Sequence, residues 1–444
     1  MPTVSDPTDI EEEVSRIAAI REVASSGPAA MTVGLIINGM AAYVFLAASG
    51  RALGPSKFAL VSVLWAVLFL VGGGLFLPLE QELGRSIAAR RARGVGFGAL
   101  VRRVGLAASG LFLAVAALIA VLHRPIADAL FRGDEQFVLV LVAGIAGVGV
   151  MYLVRGLLAG SGRYYGYAVL FLADAFTKSI PAIALAVAGV TNPVAFAVVM
   201  AVSPFVGAAV PLTRGTRLGD PGPDPVWNLL LSSLGFLLLT SFLSALTMNI
   251  GTIAVEVLAT TSESDRAGVF LSGLVIARVP LFLFQAVQAI VLPRLSRLAA
   301  SGDMAGFRQN IRLLFLGMAG ATVAATLVSA ALGPTVVKIL FGADFALLGA
   351  RDMGMLTLAS MLMMCALTIN QAQIALHHQR QTGWPWGVAS IVFIIVTALS
   401  GSDLFQRVEF GMVAGSAAVT VIAGVLLARE LRHPDEHRHD TPTL

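Results

Sequence analysis

Residues 38–85 read NGMAAYVFLAASGRALGPSKFALVSVLWAVLFLVGGGLFLPLEQELGR and alternate between apolar runs and short polar breaks. One apolar run ends at a polar turn that contains Arg51 and the Gly54-Pro55 pair, and a second run stays free of charge from Phe58 to Leu79. A helix needs roughly 20 apolar residues to cross the hydrocarbon core of a bilayer. The stretch is therefore predicted to be a membrane hairpin of two spanning helices.

The composition of the whole chain agrees with a membrane location. Of its 444 residues, 57% are hydrophobic and 13% are charged, whereas a soluble domain carries about 25% charged residues. The net charge of +4 comes from basic residues in short loops, which indicates an anionic membrane surface and not a nucleic acid as partner. The single cysteine, Cys365, excludes an intrachain disulfide and a cysteine-based metal site. We expect no metal and no cofactor.

Apolar runs of spanning length recur along the chain, and we number them spans 1 to 12. Their approximate ranges are 28–50, 57–79, 104–122, 137–159, 168–190, 193–213, 227–250, 267–292, 312–333, 353–374, 383–400 and 409–428. The start of the chain is acidic and polar, unlike a cleaved signal peptide. It is predicted to be a cytoplasmic leader, with a short amphipathic helix and a disordered tail as open alternatives.

The basic residues of the loops predict the orientation in the membrane. The loops after even-numbered spans and the two termini together hold 19 Lys and Arg residues, against 8 in the loops after odd-numbered spans. Cytoplasmic loops retain an excess of Lys and Arg. We therefore expect a multi-pass protein of the plasma (inner) membrane with both termini in the cytoplasm.

Four short segments recur in the second half of the chain, in the same order and at offsets of 210 to 217 residues. The pairs are residues 36–40 with 247–251, the segment around Pro78 with that around Pro293, 126–137 with 336–345, and 162–166 with 379–383. Six spans return the chain to the same side, so the two copies are parallel repeats related by an axis along the membrane normal.

The repeat divides the chain into five parts. These are a leader (1–27), an N-terminal six-helix lobe (28–213), a Gly- and Pro-rich cytoplasmic linker (214–226), a C-terminal six-helix lobe (227–429) and a disordered cytoplasmic tail (430–444). The predicted fold class is an all-α polytopic membrane protein with 12 transmembrane helices in two lobes, related by a parallel pseudo-two-fold repeat.

Three sequence motifs in the N-terminal lobe suggest a family. They are ASGRALGPSKFALVSVLWAV at 48–67, LFLPLEQELGR at 75–85 and RGLLAGSGRYYGYAVLFLADA at 155–175. Together with the two six-span lobes they resemble the polysaccharide-exporter branch of the MOP flippase superfamily, whose relatives include the O-antigen and lipid II flippases and the multidrug exporters. The resemblance covers about residues 28–429.

This resemblance implies a V-shaped pair of bundles around a central cavity that contains basic residues. It also implies export of an undecaprenyl-diphosphate-linked oligosaccharide from the cytoplasmic to the outer leaflet by alternating access. The expected partners are the lipid-linked glycan, membrane lipids and glycan-assembly enzymes, and the protein is expected to be a monomer.

Ionisable residues inside spans are costly and therefore candidates for function. Arg278 lies near the middle of span 8 with no acid within a helical turn, so it needs a water-filled cavity, a partner on another helix or an anionic ligand. Its planar fork of donors suits a diphosphate. Pro280 removes a backbone hydrogen bond and is predicted to kink the helix there.

Three further charges lie in the spans of the N-terminal lobe. Asp174 and Lys178 are four residues apart in span 5, hence on one helix face. They form either a self-neutralising ion pair or a cavity group in which Lys178 is released to a phosphate. Arg155 in span 4 either binds substrate or extends its charge to the headgroups. Glu80 and Arg85, at the end of span 2, are predicted either to form an inner gate or to belong to a solvated loop.

Amide side chains are the candidates for contact with sugar hydroxyls. Asn38 and Asn249 occupy equivalent places in spans 1 and 7, and either binding of the sugar or helix packing explains them. Further amides are Asn370, Gln371 and Gln373 in span 10, and Gln285 and Gln288 in span 8.

Two other functions fit the composition less well. A membrane glycosyltransferase or polymerase needs paired carboxylates or a metal site at an aqueous face, and the acids of the longest external loops do not cluster with histidines. A cation-coupled multidrug exporter needs an acid inside a span, and Asp174 already has Lys178 beside it. Three intramembrane bases against one acid favour an anionic substrate. We therefore expect a carrier and not an enzyme.

Overall fold

The computed structural model describes residues 27–213, 219–223, 227–281, 295, 297–298, 301, 303–376 and 383–432. Regular structure within these ranges is helical, without strands. All but the last residue of the predicted leader, all but the first three residues of the tail, and most of the linker lie outside them.

The predicted hairpin of spans 1 and 2 is confirmed. Helix Gly27–Val71 changes direction at Gly54, whose φ of 71° and ψ of 171° are readily reached only by glycine. The rings of Phe45 and Trp65 stack with their centroids 6.0 Å apart, although 20 residues of straight helix would separate them by about 30 Å. The two limbs therefore run side by side in opposite directions.

Span 2 continues through a π-helical turn, Gly72–Phe76, into helix Leu77–Ala92. The glycines of this turn allow close packing on both sides. A Cβ on Gly72 would lie 2.6 Å from a methyl carbon of Val148 in span 4, and one on Gly74 would lie 3.0 Å from the Cα of Phe242 in span 7. Span 2 thus contacts both its own lobe and the other one.

The remaining helices follow the predicted order of spans. In the N-terminal lobe they are Gly98–Val121, the short His123–Phe131, Glu135–Gly160, Tyr164–Val187 and Pro193–Thr213. In the C-terminal lobe they are Trp227–Leu258, Ser264–Ala277, Met304–Phe341, Ala350–Ala375, Trp384–Leu399 and Leu404–Arg432.

Nine helices in the described part of the chain are long and apolar enough to cross a membrane. One of them, the helix over 29–92, crosses twice because of the turn at Gly54. Trp384–Leu399 is a shorter apolar helix and forms span 11. The start of span 8, Ser264–Ala277, ends at Arg278, two residues before Pro280, which confirms the predicted break. These segments account for all twelve predicted spans.

Several helices are longer than the apolar runs that predicted them. Span 9 was expected over 312–333 but belongs to helix Met304–Phe341. The difference arises because a polar cap starts the helix earlier: the Asp303 carboxylate accepts a hydrogen bond of 2.8 Å from the backbone N–H of Gly306. Such caps stabilise a helix start outside the hydrocarbon core.

One of the four sequence matches between the lobes has the same structure in both. After span 3, Phe131 and Phe137 stack with centroids 5.1 Å apart, and after span 9 Phe341 and Phe345 pack at 5.5 Å. The residue after the first phenylalanine has a positive φ in each copy, 52° at Arg132 and 114° at Gly342. This agreement supports the internal repeat.

The two lobes are joined where the loops after odd-numbered spans lie, which we call the odd-loop end; the opposite end is the even-loop end. Arg51, beside the Gly54 turn, donates hydrogen bonds to the backbone carbonyls of Ile339 and Leu340. Phe58 packs against the rings of Phe341 and Phe345, with centroids 5.4 and 5.7 Å away. The start of span 2 is thus held against the end of span 9.

An ion pair joins the lobes at the same end. Nε and Nη2 of Arg132 lie 2.6 and 2.8 Å from the two carboxylate oxygens of Glu256 in span 7. At the even-loop end, the polar side-chain contacts that the structure describes do not join the lobes. Examples are the pairs Glu82–Arg85 and Gln373–Glu430.

Candidate functional site

Three cavities within and between the lobes are lined by candidate residues; a further one, of about 430 Å³, lies between the Gly54 turn and the end of span 9 at the odd-loop end. The N chamber, of about 240 Å³, lies in the N-terminal lobe and is lined by spans 1, 2, 4, 5 and 6. The middle chamber, of about 200 Å³, lies between the lobes against spans 1, 2, 7 and 8. The C pocket, of about 30 Å³, lies in the C-terminal lobe. The middle chamber borders both others: it shares Trp65 with the N chamber and Arg278 with the C pocket.

Arg278 is placed at the middle chamber by the break in span 8. It follows the last residue of helix Ser264–Ala277, where a cation also interacts favourably with the helix dipole. Its guanidinium donates to the backbone carbonyl of Met248 in span 7, and Tyr43 of span 1 faces it. No carboxylate of the described residues forms an ion pair with it. A cation in this setting attracts an anion that enters the chamber.

Lys178 and Asp174 form the predicted ion pair within span 5. Lys178 Nζ lies 2.9 Å from Asp174 Oδ2, and both residues are buried at 8% and 1% exposure. The ammonium also lies 5.4 Å from the centre of the Trp65 ring, a cation–π distance. The pair lines the N chamber, whereas Arg278 lines the middle chamber and the C pocket, so the structure does not bring the two cations together.

Arg155 also lines the N chamber and does not extend toward the headgroups. Its Nη2 lies 3.2 Å from Glu80 Oε2, and its Nε donates to the hydroxyl of Tyr167 at 2.9 Å. The same hydroxyl donates to Glu80 Oε1 at 2.9 Å, and the Tyr152 ring lies 4.5 Å below the guanidinium. Arg155 therefore ties span 4 to spans 2 and 5.

Glu80 and Arg85, the two candidates for an inner gate, bind different partners. Glu80 is buried against Arg155, while Arg85 binds Glu82 one turn away at 2.7 Å. The difference arises because Glu80 points into the lobe toward an arginine of another helix, whereas the Arg85 side chain is 70% exposed.

The amide candidates are dispersed. Asn38 lines the N chamber and Asn249 the middle chamber, where the Asn249 amide donates to the Ala245 carbonyl of its own helix at 2.9 Å. Asn370, on span 10, is not among the residues that line the three cavities. Gln285 and Gln288 lie outside the described residues. The amides that the structure describes thus do not form one sugar-binding surface.

The sequence analysis missed Trp65, which lines both the N and middle chambers. It lies within an uninterrupted apolar run and carries no charge that would single it out. Tryptophan in spanning helices is concentrated at the membrane–water interface. A tryptophan well inside span 2 is therefore the signal that would have identified it.

Comparisons of the sequence find neither a matching family model nor a matching curated protein. Comparison of the structure finds similar solved structures. A multidrug resistance MATE family transporter of the MOP superfamily, in its inward-facing conformation, superposes with a TM-score of 0.72 at 15% identity, over 93% of this chain and 100% of that chain. The fold is that of the MATE transporters.

Two further MATE structures support this result. A mutant of the Vibrio cholerae MATE transporter VcmN superposes with a TM-score of 0.66 at 14% identity, over 91% of this chain and 96% of that one. The outward-facing conformation of a multidrug resistance MATE transporter gives 0.64 at 15% identity, over 91% and 95%.

The predicted all-α fold with 12 spans in two lobes is thereby confirmed, as the fold of the MATE transporters. These structural neighbours are MATE transporters and do not confirm the polysaccharide-exporter branch. At this level of identity the likeness concerns the fold.

Proposed function

We propose that the protein is a membrane transporter of the plasma membrane that moves a diphosphate-linked lipid glycan from the cytoplasmic to the outer leaflet, with Arg278 binding the diphosphate. The observation that carries this proposal is a guanidinium at a chamber between the two lobes, bonded to a backbone carbonyl and to no described carboxylate. Such a group offers donors in the planar geometry that phosphate oxygens accept.

The position of the chamber suits a substrate with a lipid tail. Its walls come from spans 1 and 2 of one lobe and spans 7 and 8 of the other, so a polar headgroup held between the lobes leaves its tail free to stay in the bilayer. We take the odd-loop end to be the outer end, because the excess of Lys and Arg lies in the loops at the other end. A carrier whose lobes are joined by contacts at the outer end is inward-facing. Alternating access then requires these contacts to break.

The test is a flipping assay in proteoliposomes with undecaprenyl-diphosphate-linked N-acetylglucosamine. Sugars that reach the far leaflet are counted by their access to a membrane-impermeant galactosyltransferase. Loss of charge-assisted hydrogen bonds of about 1.5–3 kcal/mol is expected to slow flipping by roughly ten- to a hundredfold in Arg278→Ala, with Arg278→Lys intermediate. Arg124→Ala is the matched control, because Arg124 is an exposed arginine in the short helix His123–Phe131 after span 3. Undiminished flipping by Arg278→Ala would contradict the role of Arg278.

A second candidate function is export of organic drugs. It is favoured by the apolar and aromatic walls of the two chambers and by neighbours that are multidrug resistance transporters. The same proteoliposomes, loaded with the planar organic cation ethidium, separate the two functions. Ethidium export without glycolipid flipping would favour the drug exporter, although an unpaired arginine at the middle chamber repels a cation.

A further inference from the structure

The N chamber holds two ion pairs whose charges balance. Lys178 binds Asp174 at 2.9 Å, and Arg155 binds Glu80 at 3.2 Å. A ligand that enters this chamber meets no net charge. The arrangement therefore disfavours both an anion, which Asp174 repels, and an organic cation, which Lys178 repels.

Two hydrogen-bond acceptors remain free beside these pairs. Oδ1 of Asp174 and Oδ1 of Asn38 are buried and receive no hydrogen bond from the protein groups that the structure describes. Asp174 itself is only 1% exposed, and both residues line the chamber. Buried acceptors without donors cost free energy, which a ligand with hydroxyl donors recovers.

Aromatic rings form much of the wall around these acceptors. Trp65, Phe69, Tyr152 and Phe171 line the chamber, and the rings of Trp65 and Phe69 stack with centroids 5.1 Å apart. A flat ring beside hydrogen-bonding groups provides an apolar surface for the C–H face of a sugar and polar partners for its hydroxyls.

The size and place of the chamber limit what it can hold. Its volume of about 240 Å³ is slightly below the roughly 300–1,000 Å³ usual for small-ligand pockets, which suits one sugar residue better than a long glycan. Trp65 and Phe69 also line the middle chamber beside Arg278. The two chambers are therefore neighbours that meet at these two rings.

We infer that the N chamber is a binding site for one uncharged sugar residue of the substrate, with Trp65 as its platform and with Asn38 and Asp174 as acceptors for its hydroxyls. The inference rests on the proposed function, because the sugar is the one attached to the diphosphate at Arg278. It assigns recognition of charge to the middle chamber and recognition of the sugar to the N chamber.

The experiment measures binding of two lipids to the detergent-purified protein by native mass spectrometry. One is undecaprenyl diphosphate, and the other is the same lipid linked to N-acetylglucosamine. The wild type is expected to bind the sugar-bearing lipid about tenfold more tightly, a difference of about 1.4 kcal/mol that matches one aromatic contact.

Asn38→Ala is expected to remove most of this difference while leaving the affinity for undecaprenyl diphosphate unchanged, because Asn38 lines the N chamber and not the middle chamber. Trp65→Leu, at a residue that lines both chambers, is expected to weaken the sugar-bearing lipid more than undecaprenyl diphosphate. Arg278→Ala is expected to weaken both lipids equally. Trp384→Leu is the matched control, since Trp384 is 50% exposed and lines none of the three cavities. Asn38→Ala keeps the test valid if Trp65→Leu fails to fold.

The outcomes separate the inference from the proposed function. Equal binding of both lipids by the wild type, or a sugar preference that survives in both variants, overturns the sugar site and leaves the diphosphate site standing. Failure of the wild type to bind either lipid overturns the proposed function as well.

Discussion

The two lobes have the same order of helices, but the charged side chains inside their spans have different partners. In the N-terminal lobe, the described cations inside the spans face carboxylates: Lys178 faces Asp174, and Arg155 faces Glu80. In the C-terminal lobe, Arg278 faces the backbone carbonyl of Met248. Paired charges hold helices together, whereas an unpaired cation remains available to an anionic ligand. The comparison thus separates structural charge from charge that can serve binding.

The internal repeat shows which residues occupy the equivalent positions in the two lobes. At the offset of 215 residues that relates Pro78 to Pro293, Glu80 corresponds to Leu295 and Arg155 corresponds to Asn370. The C-terminal lobe therefore lacks both partners of that ion pair. Arg278 accordingly forms no ion pair with a carboxylate of the described residues, although other arginines of its lobe, such as Arg266, do.

The largest expected effect comes from breaking an N-chamber pair. Lys178→Met leaves the Asp174 carboxylate buried without its cation, which is expected to cost about 3–5 kcal/mol of stability. The measurement is thermal unfolding of the purified protein in detergent. The double variant Asp174→Leu/Lys178→Met is expected to recover most of the loss, since replacing both members of a buried pair is often neutral. A single variant as stable as the wild type would show that the pair is not structural.

The sequence was sufficient to predict the spanning helices of the two lobes and their order. Runs of about 20 apolar residues have one stable solution in a bilayer, so the hairpin at Gly54 and the order of the spans followed directly. The Asp174–Lys178 pair was also predictable, because residues four apart on a helix are neighbours.

The partners of the other charges could not be predicted from the sequence. Glu80 was named with nearby Arg85 as a candidate for an inner gate, and nothing in the sequence indicates that it binds Arg155 on another helix. Arg132 and Glu256 are 124 residues apart and lie in different lobes. Such contacts depend on how helices pack, and hydropathy carries no information on helix rotation. For the same reason, the sequence left open which chamber each amide lines.

The second-largest expected effect is on the distance between the lobes, which the Arg132–Glu256 ion pair holds together at the odd-loop end. Arg132→Gln removes two charge-assisted hydrogen bonds to Glu256, whose side chain is 2% exposed. Loss of about 1.5–3 kcal/mol is expected to shift the protein at least tenfold toward an arrangement with separated odd-loop ends. The measurement is the distance between spin labels at Asp128→Cys and Asp344→Cys in a Cys365→Ser background.

The matched control for this prediction is Arg266→Gln. Arg266 forms an ion pair of the same length, 2.6 Å, with Asp403, but both residues belong to the C-terminal lobe. Its loss is expected to leave the inter-lobe distance unchanged. An equal shift in both variants would mean that general destabilisation, and not the Arg132–Glu256 contact, moves the lobes.

The smallest expected effect is a change in stability with the opposite sign from that of Lys178→Met. Arg278→Met makes the same chemical change as Lys178→Met, from a basic side chain to methionine, but it leaves no described carboxylate without a partner. Removing a costly charge from the membrane interior is expected to raise stability by about 0.5–2 kcal/mol while flipping is lost. Thermal unfolding of the two variants side by side measures the difference in sign. If Arg278→Met lost as much stability as Lys178→Met, Arg278 would be a structural group like its counterparts in the N-terminal lobe. A gain in stability together with lost transport would show that Arg278 serves transport and lowers the stability of the fold.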